Sequence, residues 1–211
     1  RHFAVWGPEN VEDRLTTASE IVRLAEEAGD KESALMGHSF LITDLLELGD
    51  IPAADQEIEA YARLAEELRQ PVYTWYTALR RATRAQMDGR LEEAERLAQQ
   101  GLAIGQRVQA QNAVPFFGAQ TFALRWDQGR LQEMEAGVKG FVEQYPEFPA
   151  WRCALSLVYR ELGREEEARA TFESLATNDF ADLPRDFLWL IAIAIVSDTC
   201  AFLGDAGRAA T

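Results

Sequence analysis

The sequence predicts an all-α protein, a right-handed superhelical array of about five antiparallel helix hairpins that forms an α-solenoid with a concave face. Three observations support this prediction. Apolar residues recur at helical spacing, no long stretch alternates apolar and polar residues as a half-buried strand does, and five glycine-centred segments recur along the chain. Because one hairpin cannot bury its own apolar stripe, recurring hairpins are expected to stack on one another.

The recurring segments each place a glycine between one helix-like run and a second run that opens with polar residues. They lie at 48–50, 88–90, 128–130, 162–164 and 203–205, and their glycines are 40, 40, 34 and 41 residues apart. A left-handed glycine commonly ends a helix, and carboxylates such as Glu92 and Glu165 favour the positive pole of the helix that follows. Each glycine is therefore predicted to be the tip of a helix hairpin.

Between these tips the apolar spacing is helical. The clearest apolar stripe, at steps of three and four residues, consists of Trp151, Ala154, Leu155, Val158, Tyr159 and Leu162. Prolines mark the helix starts, where a missing N–H costs nothing, and these are Pro52, Pro71, Pro115, Pro149 and Pro184. We predict helices at residues 10–28, 31–48, 52–68, 71–88, 91–110, 113–128, 131–144, 149–162, 165–177 and 184–203.

Charge and hydropathy restrict the partners that this chain can have. Its 35 acidic and 21 basic residues give a net charge of −14, which argues against direct binding of nucleic acid or of an anionic membrane surface. The longest apolar run, 187–196, is about half of the roughly 20 residues that a membrane-spanning helix needs. We interpret this run as a buried helix.

The cysteines and the chain ends indicate the setting of the domain. Cys153 and Cys200 lie 47 positions apart without a C-x-x-C pair, which argues against a disulfide framework and a zinc site. A reduced, cytoplasmic protein fits this usage. The chain starts at Arg1 without a methionine, and residues 205–211 resemble the start of another helix. We therefore expect residues 1–211 to be one helical repeat domain cut from a longer, multidomain protein.

Residues 149–176 resemble a tetratricopeptide repeat. The family's large, small, aromatic, turn, small and aromatic positions correspond in order to Leu155, Ser156, Tyr159, Gly163, Ala168 and Phe172. Other hairpins keep the turn glycine and usually the small residue after it, as at Ala54, Ala94 and Ala209, whereas Met134 stands there in the third. Because the spacing is near 40 rather than 34, the resemblance implies a tetratricopeptide-like array with longer helices.

A broader resemblance involves the segments 45–50, 66–71, 89–98 and 179–186. They are similar to the helical-repeat region of large bacterial signalling ATPases, which include LuxR-type and maltose-activator-like regulators and nucleotide-cyclase proteins with an ATPase module. In that family the repeat region follows a nucleotide-binding switch and serves as its sensor or protein-docking arm. The resemblance therefore implies a role in signal transduction or transcription regulation.

The sequence offers no catalytic, cofactor or metal site. A phosphate-binding G-x-x-x-x-G-K-[S/T] loop is missing, and Gly101 and Gly105 are expected to let two helices approach closely. His38 precedes Ser39 without the second glycine of a nucleophile elbow, and it is predicted to lie on a helix surface. The acidic clusters, at 26–27, 92–95 and 165–167, are interpreted as solvated helix N-termini rather than as paired catalytic carboxylates.

The tetratricopeptide resemblance also implies a binding groove. In that family the first helix of each hairpin lines the concave face, and its register places there Tyr76, Arg80, Thr83, Phe116, Gln120, Trp126 and Arg160. Exposed together, they would hold an extended or helical peptide, although core packing is the alternative for any single aromatic residue. The family members that clamp a peptide's terminal carboxylate use Lys and Asn positions that this chain lacks.

Two functions remain open. The first is a non-catalytic interaction scaffold that binds another protein, a peptide or a neighbouring domain of its own polypeptide. The alternative is a sensor domain whose groove closes around a small effector and shifts an attached ATPase, for which Trp75 and Trp126 are the motivation. Hydrolase activity is kept only as a residual hypothesis.

Overall fold

The computed structural model describes residue 2 and residues 7–108, 111–185 and 188–208. Over these ranges the regular structure is helical and contains no strand, which confirms the all-α prediction. The helices are α1 (Val11–Ala28), α2 (Lys31–Leu48), α3 (Ile51–Leu68), α4 (Pro71–Met87), α5 (Leu91–Arg107), α6 (Ala113–Asp127), α7 (Glu135–Gln144), α8 (Pro149–Glu161), α9 (Glu165–Leu175) and α10 (Trp189–Leu203).

Most predicted boundaries agree with these bounds to within two residues, and three differ by more. The segment Leu131–Met134 is a 3₁₀ turn ahead of α7, so α7 begins at Glu135 instead of at 131. Helix α5 ends at Arg107, and the predicted end at 110 lies outside the described residues. After α9, Asn178 and Asp179 adopt left-handed dihedral angles, which Asn and Asp tolerate better than most residues. The chain therefore leaves the helix there, and α10 begins at Trp189 instead of at 184.

The predicted corners are confirmed. Gly49, Gly89, Gly129, Gly163 and Gly204 all have φ between 65° and 75°, a region that a residue with a Cβ rarely adopts. Gly29 makes a further corner between α1 and α2, and this glycine is not among the five predicted corners. Between α3 and α4 the same left-handed turn is made by Arg69, at φ 53°.

The repeat extends beyond the corners into the core. The fifth residue after a corner glycine is a fully buried alanine at Ala54, Ala94 and Ala168, and Ala34 follows Gly29 in the same way. A small side chain at this position lets the second helix of a hairpin lie close against the first. Ala209, the matching position of the last corner, lies outside the described residues.

The chain forms two compact units, Arg1–Leu124 and Arg125–Thr211. In the first unit each of the helices α1, α2, α3 and α4 packs against the next one along the chain. One of its buried clusters joins α2 and α3, and consists of Leu35, Ile42, Ile58, Tyr61 and Ala65. Packing between neighbours in sequence is what a helical repeat array requires.

The second unit packs α7 on α8, α8 on α9, and α10 against both α8 and α9. Its interior is apolar apart from a few hydroxyls, and the Ser156 hydroxyl lies 3.2 Å from that of Thr199. Leu157, Val158 and Phe172 are fully buried there. Of the predicted apolar stripe, Ala154, Leu155, Val158 and Tyr159 are buried in this unit, whereas Leu162 is 37% exposed.

The apolar run at 187–196 lies largely within α10. Ile195 and Val196 are buried, whereas Leu190 and Ile191 are about half exposed, so the interpretation as a buried helix is right for one face only. Phe187 lies outside the described residues. Within the described ranges, a helix with the length and apolar character to cross a membrane is not found.

The G-x-x-x-G spacing does bring helices close together. An added Cβ at Gly105 would lie 2.6 Å from the Cβ of Ala113 and 2.9 Å from Nε1 of Trp75. At Gly101 its nearest neighbour would be the flexible end of Leu79, at 3.4 Å. The two glycines therefore differ in how tightly α5 is packed around them.

We expect Gly105→Ala to lower the free energy of unfolding by about 1–3 kcal/mol, because the new methyl group overpacks the contact with Trp75 and Ala113. Gly101→Ala is the matched control on the same helix, and it should change stability by less than about 1 kcal/mol, since helix propensity offsets a soft contact. Urea denaturation of both variants measures the difference. Equal stability of the two would show that Gly105 is not a packing constraint.

Candidate functional site

A pocket of about 400 Å³ opens on the first unit between α2, α3 and α4. We call it the Arg80 pocket. It is lined by Glu32, Leu35, Met36, Ser39, Tyr61, Tyr73, Tyr76 and Arg80. Two of the predicted groove residues, Tyr76 and Arg80, are therefore part of a concave surface.

Helical spacing brings these side chains together. On α4, Tyr73, Tyr76 and Arg80 follow at steps of three and four residues and so share one face. On α2, Glu32, Met36 and Ser39 do the same. Tyr61 of α3 is 3% exposed and belongs to the buried cluster between α2 and α3, so a rigid core forms the floor of the pocket.

Two tyrosine rings hold the guanidinium group of Arg80. Its Cζ atom lies 4.1 Å from the ring centroid of Tyr61 and 5.6 Å from that of Tyr76. Nη2 donates a hydrogen bond to the Ser39 hydroxyl, with 2.5 Å between the two atoms. Nη1 is shielded from solvent, and no described protein atom accepts a hydrogen bond from it.

Other buried arginines of this unit have carboxylate partners. Arg14 pairs with Asp44 and Glu47, and Arg84 bonds to Asp55, with 2.6 Å between Nε and Oδ1, as well as to Asp88. Arg80 has no such carboxylate partner among the described residues. A cation that is largely removed from water without a counter-charge is unusual, because burying an unpaired charge is costly.

Burial perturbs the titration of the pocket. Burial lowers the pKa of Arg80, and the neighbouring tyrosines partly offset this decrease. Burial also raises the pKa of Tyr61. The pKa of Tyr73 is also raised, first by burial and then by the carboxylate of Glu32. Around neutral pH Arg80 is therefore a cation, and Tyr61 and Tyr73 are neutral phenols.

Three further groove residues pack along α4. The ring of Phe116 is 41% exposed and meets Trp75 edge-on, with 5.7 Å between ring centroids. The Gln120 side chain donates to the backbone carbonyl of Leu79 across 2.8 Å and lies 3.4 Å from the Thr83 hydroxyl. Tyr76, Arg80, Thr83, Phe116 and Gln120 thus belong to one region of the first unit.

The last two predicted groove residues belong to the second unit. The Trp126 ring is 36% exposed at the end of α6. Arg160 is half-buried and makes ion pairs with Asp198 of α10 and with Glu161. Arg160 therefore connects α8 to α10, and its charge is already compensated within the unit.

The sequence interpretation missed the α2 and α3 side of the pocket. The groove prediction does not include Met36, Ser39 and Tyr61, because it applies the tetratricopeptide register only to α4, α6 and α8. The same register could have been applied to α2, since α2 is also the first helix of a hairpin whose tip is Gly49. Met36 is 48% exposed on that helix, which marks it as a surface position.

His38 and Cys153 are both buried. His38 is on a helix as predicted, but the expected surface position is wrong, since the side chain is buried and its Nδ1 lies 2.5 Å from a Glu57 carboxylate oxygen. Burial raises the pKa of the Cys153 thiol to about 12. This thiol is therefore protonated at neutral pH and is a poor nucleophile.

A buried charged cluster surrounds His2. Its Nε2 lies 2.8 Å from Asp44 Oδ2, and its ring stacks on Phe40 with 4.1 Å between centroids. Arg14 bonds to Glu47 and has its Nε 3.3 Å from Asp44 Oδ1. Burial raises the pKa of Asp44, and the neighbouring His2 and Arg14 counteract this increase. The ion pairs of Arg14 with Asp44 and Glu47 connect α1 to α2.

The acidic clusters lie at helix ends. Glu92 and Glu93 stand in the first turn of α5 and residues 165–167 in that of α9, as predicted. The pair at 26–27 was placed at the wrong end, since it lies in the last turn of α1. Among the described residues, no group of three or more His, Cys, Asp or Glu side chains is arranged to hold a metal ion.

Comparison with known proteins adds no assignment. No protein-family model matches this sequence, and no curated protein matches it. The geometry of the Arg80 pocket is thus the observation that bears on function.

We expect Arg80→Met to leave the free energy of unfolding unchanged within about 1 kcal/mol or to raise it, because the lost cation–π contacts are offset by removal of an unpaired, largely buried charge. Arg84→Met, one turn later on α4, should lower it by about 1–2 kcal/mol, since it removes hydrogen bonds to two carboxylates. Urea denaturation compares the two variants. A larger loss for Arg80→Met would mean that Arg80 chiefly holds the fold.

Proposed function

We propose that this chain is a non-catalytic scaffold that binds a protein or peptide segment along the first helices of its hairpins. The proposal includes a tetratricopeptide-like array of about five hairpins with right-handed superhelical winding. By its resemblance to bacterial signalling and transcription-regulating ATPases, the chain acts as a cytoplasmic sensor or docking arm. Its partner is another protein, a peptide or a neighbouring domain of the same polypeptide, rather than nucleic acid or a membrane.

The Arg80 pocket is the observation that supports this proposal. In a helix that only packs, long aromatic and charged side chains either enter the core or extend into solvent. Here Tyr73, Tyr76 and Arg80 line a concavity over a rigid floor, next to the half-exposed Met36. Tyrosine and arginine are the residue types that contribute most to binding energy at protein interfaces.

The surroundings of the pocket suit a peptide ligand. Phe116 adds an exposed aromatic ring beside Trp75, and Thr83 and Gln120 add polar groups on the same region. An apolar centre with polar groups around it is the usual composition of an interface. A segment that crosses α2, α4 and α6 would meet all of these side chains.

A random peptide display library selected on the immobilised chain tests the proposal. We expect binding peptides whose affinity falls at least tenfold for the double variant Met36→Ala/Phe116→Ala, because both side chains are exposed apolar contacts. Leu24→Ala, on the outer side of α1 and equally exposed, is the matched control and should bind as the original chain does. Isothermal titration calorimetry with the selected peptides measures these affinities.

Failure to select any peptide, or equal weakening by Leu24→Ala, would contradict the scaffold proposal. Both variants remove exposed side chains, so folding is expected to be preserved, and circular dichroism checks it.

The alternative function, a sensor for a small effector, is favoured by the size of the pocket. About 400 Å³ lies within the range of small-molecule sites. A thermal-shift screen of metabolites discriminates this function from the scaffold. An effector at 100 times its dissociation constant should stabilise the fold by about 2.7 kcal/mol, and the stabilisation should disappear in Tyr76→Ala. A screen without such a compound would leave the peptide scaffold as the better supported function.

A further inference from the structure

The charge on Arg80 lacks a counter-charge within the described residues. An arginine has five N–H donors, and this one bonds to the neutral hydroxyls of Ser39 and Tyr61. The ring centroids of Tyr61 and Tyr76 lie 4.1 and 5.6 Å from its Cζ atom. The guanidinium group is thereby fixed in position but only partly satisfied in hydrogen bonding.

This arrangement is costly for the free chain. Rings and hydroxyls recover only part of the hydration that a largely buried cation loses. The same unit satisfies Arg14 and Arg84 with two carboxylates each, so its sequence readily supplies acidic partners for arginines. An unmatched cation that lines a pocket departs from the usual pairing of buried charges, and such departures are expected at functional or strained sites.

Charge and donor number favour a carboxylate as that anion. A planar guanidinium group matches the two oxygens of a carboxylate in a bidentate pair. A phosphate carries nearly two negative charges and is usually held by several cations, whereas this pocket holds one arginine and also the carboxylate of Glu32 at its edge. A second negative charge would therefore be repelled.

The rest of the pocket is suited to an apolar neighbour of that carboxylate. Its volume of about 400 Å³ exceeds what one carboxylate fills. The walls contributed by Met36, Tyr73 and Tyr76 are largely apolar, and Met36 is half exposed. Since the whole chain carries a net charge of −14, the residues that flank the bound acid are expected to be neutral or basic.

We propose that the Arg80 pocket binds an acidic side chain of a peptide segment, with Arg80 as its carboxylate partner and with an adjacent apolar residue of the segment against Met36 and the tyrosines. The inference rests on the scaffold function proposed above. On binding, a small rotation of the guanidinium group turns Nη1 toward the carboxylate and supplies the acceptor that it lacks in the free chain.

A double-mutant cycle tests this proposal with peptides selected on the original chain. In each peptide the acidic residues are changed one at a time, Glu to Gln or Asp to Asn. The chain is compared with Arg80→Gln and with the matched control Arg81→Gln, whose exposed side chain bonds to Glu59 instead. Calorimetric titration gives the affinity of each pair, and 3-phenylpropionate and its amide are titrated as free small-molecule probes.

We expect one acidic residue in the selected peptides whose neutralisation weakens binding at least tenfold to the original chain and to Arg81→Gln. The same peptide change should weaken binding less than twofold to Arg80→Gln, because the charge partner is already gone. The free 3-phenylpropionate should bind far more weakly than the peptides, since it lacks their contacts beyond the pocket.

Two outcomes would overturn the inference while the scaffold function stands. In the first, the selected peptides bind without an acidic residue. In the second, neutralising the acidic residue lowers the affinity equally for Arg80→Gln and for the original chain. Absence of any peptide binding overturns both proposals. If 3-phenylpropionate then binds in an Arg80-dependent manner and its amide does not, the occupant is a small carboxylic acid and the assignment to a peptide is wrong. Unfolding measurements on Arg80→Gln verify that it is folded.

Discussion

The packing of neighbouring helices in this chain depends on abrupt reversals of the backbone, and most of these reversals use a residue in the left-handed conformation. Glycine provides most of them, and at Gly29 and Gly49 the following aspartate then caps the next helix through its side chain. Arg69 makes one reversal with a Cβ present, at an energetic cost that glycine avoids. Once helices are antiparallel neighbours, buried alanines at matching positions allow them to approach.

The buried arginines of the first unit have two kinds of partner. Long helices with narrow apolar stripes bring arginines close to the core, and the chain compensates Arg14 and Arg84 with nearby carboxylates. Arg80 is instead held by tyrosine rings and hydroxyls. Stability gained elsewhere, in tight contacts such as that of Gly105 with Trp75, can support one uncompensated cation. A side chain fixed in this way loses little further conformational entropy if it contacts a partner, which fits the scaffold that we propose.

Part of the candidate site could be predicted from the sequence. The register placed Tyr76 and Arg80 together in the predicted groove, and a step of four residues is enough to know that they share one face of α4. The sequence could not show that Ser39 of α2 and Tyr61 of α3 would meet Arg80, because contacts between helices depend on how far each one is rotated and shifted along its neighbour. For the same reason it placed His38 on a surface, whereas α3 covers it with Glu57.

The sequence by itself determined the helices and five of their glycine corners, because apolar periodicity, capping residues and the glycine requirement act over a few neighbouring residues. It also excluded a phosphate-binding loop of the G-x-x-x-x-G-K-[S/T] kind, since that motif is local. Only the tertiary structure decided which charges are paired and which are not. That outcome depends on distances between residues about 20–40 positions apart, such as Arg80 and Ser39, and side-chain packing alone sets those distances.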